Sequence, residues 1–303
     1  WQTYRCNHNN QLRYILRWAA PFRDEMATTS PTVDEVTVAE LREQFRGAVL
    51  EPSDEKYDEA RAVWNGMIDR RPAVVAQCAG VADVMAAVDF GRENEMLVAV
   101  KGGGHHIAGD AVCDDGLVVD LSEMRSVRVD PDARTARVEP GATLADFDHE
   151  AQAFGLATPL GINSTTGVAG LTLGGGFGWL TRKYGMTVDN LRSVDVVTAD
   201  GERRRASEDE NPDLFWGMLG GAGNFGIATS FEFDLHEVGP EVLTGRVIYP
   251  HEAAADVLRF YRDFMLDAPD KVQCYAAFVQ GNPMMGLPEP LHGKTLLSVI
   301  PFY

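Results

Sequence analysis

Apolar residues come in short runs along the first part of the chain. Residues 73–78 and 96–100 are apolar runs of strand length, and residues 81–95 between them place Val84 and other apolar side chains at helical spacing. The pattern predicts a strand, a helix and a second strand, which together form a βαβ unit. Residues 116–120 are predicted as the next strand.

Blocks of strand and helix length continue to residue 238. The predicted strands are residues 127–129, 135–138, 194–198, 203–206 and 227–235, and the predicted helices are residues 144–154 and 211–219. Asn211 is expected to cap the second helix, with Pro212 at its first position. Upstream, residues 37–65 predict a short amphipathic helix and a loop. The elements together predict an α+β fold.

Residues beyond Pro240 form a separate group of elements. The predicted strands are residues 242–249, 273–279 and 295–303, and the predicted helix is residues 253–266. This order predicts an antiparallel sheet covered by helices.

Three consecutive glycines, Gly102, Gly103 and Gly104, follow the strand at residues 96–100, and His105 comes directly after them. Glycine adopts positive φ at little cost, so consecutive backbone N–H groups can converge on an anion such as a diphosphate. His105 would then lie at the mouth of this cradle. The alternative is a glycine hairpin with an incidental histidine.

A second glycine-rich stretch spans residues 161–179, with seven glycines and no charged side chain. Such a segment has too few side chains to form a core of its own, which predicts that it lies against a large flat ligand. Phe177 and Trp179 are interpreted as packing residues rather than as walls of that site.

The segment Gly221–Gly226 has the spacing GxGxxG of dinucleotide-binding loops. Its context is reversed, because a predicted helix precedes it and a predicted strand follows it. In a Rossmann domain the loop leaves a strand and begins a helix. We therefore expect no nicotinamide dinucleotide site here.

The composition excludes several partners. The net charge is −18 at pH 7, and 22 of the 27 cationic residues are arginine. An acidic surface repels nucleic acid and anionic membranes, and no apolar run approaches the roughly 20 residues of a membrane span. We expect a cytoplasmic protein, with adaptation to high salt as an alternative explanation of the charge. The widely spaced Cys6, Cys78, Cys113 and Cys274 predict free thiols and no metal site.

The first 25 residues differ from the rest of the chain. They carry a net charge of +2 against −20 for the remainder, and Met26 precedes the change to acidic composition. We interpret residues 1–25 as a non-native or upstream extension. Arginines interrupt the apolar residues between 12 and 20, so a secretory signal is not expected.

Four ordered motifs, KGGGHH, GVAGLTLGGGFGWLTRKYG, TVDN and GGAGNFGIATSFEF, resemble one known family between about residues 71 and 240. The chain is similar to the FAD-linked oxidases of the vanillyl-alcohol oxidase and p-cresol methylhydroxylase (PCMH) superfamily, in the branch of berberine bridge enzyme-like and 6-hydroxynicotine oxidases. The resemblance implies a PCMH-type FAD-binding domain of two α+β subdomains at residues 67–238. It also implies a lead-in at 26–66 and the start of an incomplete substrate domain at 239–303.

The resemblance implies that His105 forms a covalent link to the flavin 8α-methyl group. Many relatives add a cysteinyl link at the position that is Asn163 here, so we expect a single link. The expected cofactor-binding residues are Lys101, Gly102, Gly103, Gly104, His105, His106, Asn163, Thr166, Gly167, Gly170, Leu171, Gly174, Gly175, Gly178, Asp189 and Ile227.

The implied chemistry is transfer of a hydride from an alcohol, sugar or amine to flavin N5, followed by transfer of electrons to oxygen. Within the sequence, Tyr184 and Asp189 are candidates for the substrate base, and His149 is a weaker one. Tyr184 also fits packing, and Asp189 also fits a turn. Two other functions stay open: a flavin dehydrogenase with another acceptor, and a non-catalytic flavin-binding fragment.

Overall fold

A computed structural model describes residues 35–303, and the side chains from residue 38 onward. The predictions for residues 1–25, for the start of the lead-in and for Cys6 lie outside the described residues. The helices are α1 Glu35–Gln44, α2 Tyr57–Ala60, α3 Val81–Glu93, α4 Leu144–Gln152, α5 Val168–Leu173, α6 Thr181–Tyr184, α7 Pro212–Met218 and α8 Ala254–Asp267. The strands are β1 Ala48–Leu50, β2 Val74–Gln77, β3 Val98–Lys101, β4 Leu117–Asp120, β5 Val127–Asp130, β6 Thr135–Val138, β7 Leu156–Ala157, β8 Leu191–Val197, β9 Arg203–Ser207, β10 Ile227–Asp234, β11 His236–Glu237, β12 Val247–Pro250, β13 Gln273–Gln280 and β14 Thr295–Phe302.

The first sheet has the strand order β1-β2-β4-β3. Strands β2, β4 and β3 are parallel, and β1 joins β2 in antiparallel pairing. The predicted βαβ unit is present, with β4 inserted between its two strands. Because β3 and β4 are parallel neighbours, residues 102–116 between them form a crossover. The glycine-hairpin alternative is therefore wrong.

Helix α3 is tied to the first sheet through Asp83, whose side chain is buried with 2% exposure. The Asp83 carboxylate accepts hydrogen bonds from the backbone N–H groups of Arg46 and Gly47, both at 3.0 Å, and of Ala79 at 2.8 Å. These amides come from the chain just before β1 and just after β2. One buried side chain therefore fixes where the helix meets two strands.

The second sheet is antiparallel, in the order β5-β6-β10-β8-β9. Its buried face packs against Phe147 of α4, Val168 of α5 and Met218 of α7. Val197 and Ile227 from this sheet instead join the core of the first sheet, beside α3. The two sheets thus share a boundary at the start of β10.

The capping of α7 differs from the prediction. The helix begins at Pro212 as expected, but Asn211 has a left-handed backbone with φ 50° and makes no capping bond. Its side-chain amide instead donates to the carbonyl of Arg205 at 2.7 Å. Asn211 therefore ties the helix to β9, the strand that precedes it.

The third sheet is antiparallel, as predicted, in the order β12-β14-β13. Its first strand is shorter than expected, because only residues 247–250 pair continuously. Trp179 packs against this sheet, with ring centroids 4.7 Å from Tyr275 and 5.5 Å from Phe302. In the described part of the chain, no helix is both long and apolar enough to cross a bilayer.

The predicted thiols are free and buried at Cys78, Cys113 and Cys274. Burial raises the pKa of each of these thiols, which keeps them protonated and poorly nucleophilic at neutral pH.

Replacement of Asp83 tests the link between α3 and the first sheet. We expect Asp83→Asn to lower the free energy of unfolding by about 2 to 3 kcal/mol, because three backbone N–H groups then share one buried amide oxygen instead of a buried carboxylate. The control is Asp89→Asn on the same helix, where the half-exposed carboxylate contacts Arg92. Urea unfolding of both variants measures the difference. Equal losses in the two variants would contradict this role of Asp83.

Candidate cofactor site

The two glycine-rich segments meet at Gly103 and Gly167. A Cβ atom on Gly103 would lie 2.4 Å from the backbone nitrogen of Gly167, and a Cβ on Gly167 would lie 2.5 Å from the backbone nitrogen of Gly103. Real Cβ atoms do not approach other atoms so closely, so both positions require glycine. These two glycines therefore bring two backbone segments together, whereas the sequence suggested that they make room for a ligand.

A cavity of about 410 Å³ opens beside this contact. Five of the sequence-predicted residues, Lys101 to His105, line it. The rest of the lining is formed by Ala62, Val63, Trp64, Ser122, Arg125, Gly141, Thr143 and Thr165. The cavity thus lies at the carboxyl end of β3, where the crossover begins.

The backbone of the glycine loop, which lines this cavity, carries N–H groups without an acceptor. The N–H groups of Gly103, Gly104 and His105 donate no hydrogen bond to any described residue. Gly104 is buried and has φ +68°, a conformation that glycine adopts without strain. Gly103 and His105 on either side of it are half-buried. Amides without an acceptor are rare in a protein interior, and a row of such amides is a common anion-binding arrangement. The loop therefore fits a diphosphate.

His105 is held on two sides. Its ring stacks on Trp64 with centroids 5.2 Å apart and planes 20° from parallel. Its Nε2 atom lies 3.0 Å from the hydroxyl oxygen of Thr165. Partial burial lowers the pKa of His105 below its ordinary value. The ring is thus neutral and oriented at neutral pH.

A buried ion pair fixes the start of the loop. The Lys101 ammonium lies 3.1 Å from the carboxylate of Asp120, and both side chains are almost completely buried. The ammonium also donates to the carbonyl of Ala60. Asp120 in turn accepts from the backbone N–H of Ser122 at 3.1 Å. The charge of Lys101 is therefore neutralised by Asp120 within the protein. At the cavity, Lys101 holds the end of β3 against the end of β4.

The other glycines of residues 161–179 differ in their surroundings. A Cβ on Gly178 would lie 1.8 Å from the carbonyl oxygen of Leu160, and one on Gly176 would lie 2.2 Å from the hydroxyl of Thr187. Close contacts with other protein atoms therefore explain why these two positions are glycine. Gly170 is exposed and has open space at its Cβ position, so it is free to face a ligand.

The candidate bases lie outside the cavity lining. Tyr184 stacks on His236 with centroids 3.9 Å apart, and Asp189 accepts a bond from the N–H of Met186 at 2.7 Å. His149 is 84% exposed and contacts Glu150. In the part of the chain that the structure describes, Tyr184 thus packs against a neighbouring ring and Asp189 stabilises a turn. Their assignment as bases stays a prediction.

Several other predicted cofactor residues also lie away from the cavity lining. His106 is exposed beside Asp110, Ile227 is buried at the start of β10, and Leu171 packs on the core of the second sheet. Asn163 is exposed and contacts Thr165, which does line the cavity. Thr166 donates its backbone N–H to the carbonyl of Asn163 at 3.0 Å. A role for any of them in binding FAD stays a prediction.

Sequence reasoning missed the polar lining residues Ser122, Arg125, Thr143 and Thr165 and the aromatic Trp64. Arg125 forms a bidentate pair with Asp146, whose carboxylate closes a capping box with Thr143 at the start of α4. The spacing Thr-x-x-Asp was the available signal for this cap. Trp64 and Thr165 gave no such signal, because neither belongs to a periodic segment and their contacts with His105 span 41 and 60 residues of sequence.

Comparisons with known proteins identify the family and the fold that the chain resembles. Residues 72–207 match the family described as FAD binding domain. The chain is 37% identical over 205 residues to (R)-6-hydroxynicotine oxidase of Paenarthrobacter nicotinovorans, covering 68% of this chain and 45% of that protein. The crystal structure of 6-hydroxy-D-nicotine oxidase from Arthrobacter nicotinovorans superposes with TM-score 0.77 and 31% identity, over 85% of this chain and 55% of that one.

A second solved structure, the wild-type glucose dehydrogenase Phl p 4.0202, superposes with TM-score 0.76 and 27% identity, over 89% of this chain and 55% of that one. The chain spans about half the length of the curated relatives that it matches. The fold is the α+β fold of PCMH-type FAD-linked oxidases. Residues 72–207 belong to the FAD binding domain family, and the chain as a whole is similar to FAD-linked oxidoreductases that include 6-hydroxynicotine oxidase and berberine bridge enzyme-like proteins.

The contact between Gly103 and Gly167 can be tested against an open glycine. We expect Gly103→Ala to lower the free energy of unfolding by about 1 to 3 kcal/mol, because the new methyl group forces two backbone segments apart. Gly170→Ala is the matched control, since that Cβ meets no atom within 4 Å. Urea unfolding without added flavin measures both variants. If Gly103→Ala were as stable as Gly170→Ala, the close contact would not be needed for the fold.

Proposed function

We propose that the cavity binds FAD, with the diphosphate on the N–H groups of Gly103, Gly104 and His105 and with the flavin attached covalently through His105 alone. The observation that carries the proposal is the row of three amides without an acceptor, ending at an imidazole that Trp64 and Thr165 hold in place. Asn163 has no nucleophilic atom, so no second link is expected from it.

The bound flavin would supply a two-electron acceptor at N5 for a substrate C–H group. The residues of this chain would bind the cofactor and orient it. Lys101 and Asp120 hold the loop at the end of β3, and the contact of Gly103 with Gly167 sets where the two glycine segments meet. A covalent link through His105 would keep the flavin bound between turnovers.

The proposed reaction is oxidation of an alcohol, sugar or amine, with oxygen as the acceptor and a small molecule as the substrate. The similarity to 6-hydroxynicotine oxidase supports oxygen as the electron acceptor. The similarity to Phl p 4.0202, named a glucose dehydrogenase, supports a second candidate in which another acceptor takes the electrons. In both cases residues 67–238 would bind FAD and residues 239–303 would begin the substrate domain.

Removal of the imidazole tests the covalent link. We expect unaltered protein to keep its flavin after acid denaturation, and His105→Ala to release it, because no other nucleophile is proposed. Flavin absorbance of the precipitated protein and of the supernatant measures how much flavin stays attached and how much is released. The control is His106→Ala, an exposed neighbour that contacts Asp110. Release of flavin from unaltered protein, or retention by His105→Ala, would contradict the link.

The acceptor is tested by following hydrogen peroxide. Flavin-loaded protein is first screened anaerobically with alcohols, sugars and amines for loss of flavin absorbance. With a substrate that bleaches the flavin, we expect one peroxide per substrate oxidised when air is admitted. Slow reoxidation by oxygen together with fast reoxidation by a quinone would favour the dehydrogenase. Absence of bleaching with every substrate class would favour a flavin-binding fragment without activity.

A further inference from the structure

His105, Thr165 and Asn163 form a short chain of hydrogen-bonding atoms at the cavity. The Nε2 atom of His105 lies 3.0 Å from Oγ1 of Thr165, and that oxygen lies 3.3 Å from Oδ1 of Asn163. The backbone N–H of Thr165 also points at Oδ1 of Asn163, at 3.4 Å. Two donors of one residue therefore converge on a single amide oxygen.

The direction of the protons in this chain follows from the valence of its atoms. An amide oxygen accepts hydrogen bonds and cannot donate them, so the single hydroxyl proton of Thr165 points toward Asn163. The oxygen of Thr165 is then free to accept a bond from His105. The imidazole proton accordingly lies on Nε2, and Nδ1 carries the lone pair.

The surroundings of His105 favour this tautomer. Nδ1 has no hydrogen-bond partner among the described residues. Trp64 covers one face of the ring and limits its rotation. Burial keeps the ring neutral, so that a lone pair is available at neutral pH.

We propose that Thr165 and Asn163 are positioning residues for flavin attachment: they hold the proton of His105 on Nε2 and present Nδ1 as the nucleophile. The inference rests on the proposed covalent link. It gives Asn163 a function of its own at a position where many relatives have a second attachment residue.

The attachment step balances with the flavin as the oxidant. A bond forms between Nδ1 and the 8α carbon, and one 8α C–H bond breaks. The electron pair of that bond reduces the flavin by two electrons, and the flavin takes up two protons, one from the methyl group and one that leaves Nε2 of the alkylated ring. Molecular oxygen then reoxidises the flavin and yields hydrogen peroxide.

The first measurement is the tautomer itself. Nitrogen-15 NMR of labelled histidine in flavin-free protein, assigned with His105→Ala, reports which nitrogen of His105 carries the proton. We expect the proton on Nε2 in unaltered protein and a mixture of tautomers in Thr165→Val. A proton on Nδ1 in unaltered protein would overturn the inference, whether or not flavin becomes attached.

The second measurement is the rate of attachment after FAD is added to flavin-free protein, followed as acid-stable flavin. We expect Thr165→Val to slow attachment by about tenfold, the factor that one lost hydrogen bond supports, when the rate is measured at saturating FAD so that a change in FAD affinity does not enter it. Asn163→Leu should also slow it, and Thr165→Ser should restore the rate because it keeps the hydroxyl. Attachment by Thr165→Val at the unaltered rate would overturn the inference.

The two proposals fail in different ways. If unaltered protein never holds acid-stable flavin, the covalent link fails, and the NMR measurement still decides the tautomer. If unaltered protein attaches flavin and Thr165→Val does so equally fast, the link stands and the positioning role fails. If Thr165→Val were misfolded, Asn163→Leu would carry the kinetic comparison, because its side chain is exposed.

Discussion

The contact between the backbones of Gly103 and Gly167 is the constraint on which the site depends. The two glycines lie 64 residues apart in sequence, and neither tolerates a Cβ atom. Their contact aligns the end of β3 with the start of α5, and thereby places His105 beside Thr165. The alignment supplies one of the two contacts that orient the imidazole, and stacking on Trp64 supplies the other.

The charged side chains around the site are paired with each other and stabilise the fold. Lys101 is the cation nearest to the glycine loop in sequence, yet its charge is matched by Asp120 within the described structure. Arg125 is likewise paired with Asp146 at the cap of α4. An anion in this cavity would therefore be bound chiefly by backbone N–H groups, which suits a diphosphate.

Much of this arrangement could be predicted from the sequence, because it depends on local patterns. The strands and helices of residues 73–120 follow apolar periodicity, and the reversed order around Gly221–Gly226 is confirmed by α7 before it and β10 after it. His105 was found because it follows three glycines. The parallel pairing of β3 with β4 could not be predicted, since it depends on a strand order that the sequence does not encode locally.

The partners of His105 could not be predicted for the same reason. Trp64 and Thr165 reach the imidazole through tertiary contacts, and nothing in their neighbouring residues indicates a site. The most direct test of the account is a crystal structure of the flavin-loaded protein. The account predicts diphosphate oxygens on the N–H groups of Gly103, Gly104 and His105, and continuous density from His105 to the flavin 8α carbon. Flavin bound elsewhere, or a diphosphate held by side-chain cations with these amides unoccupied, would contradict it.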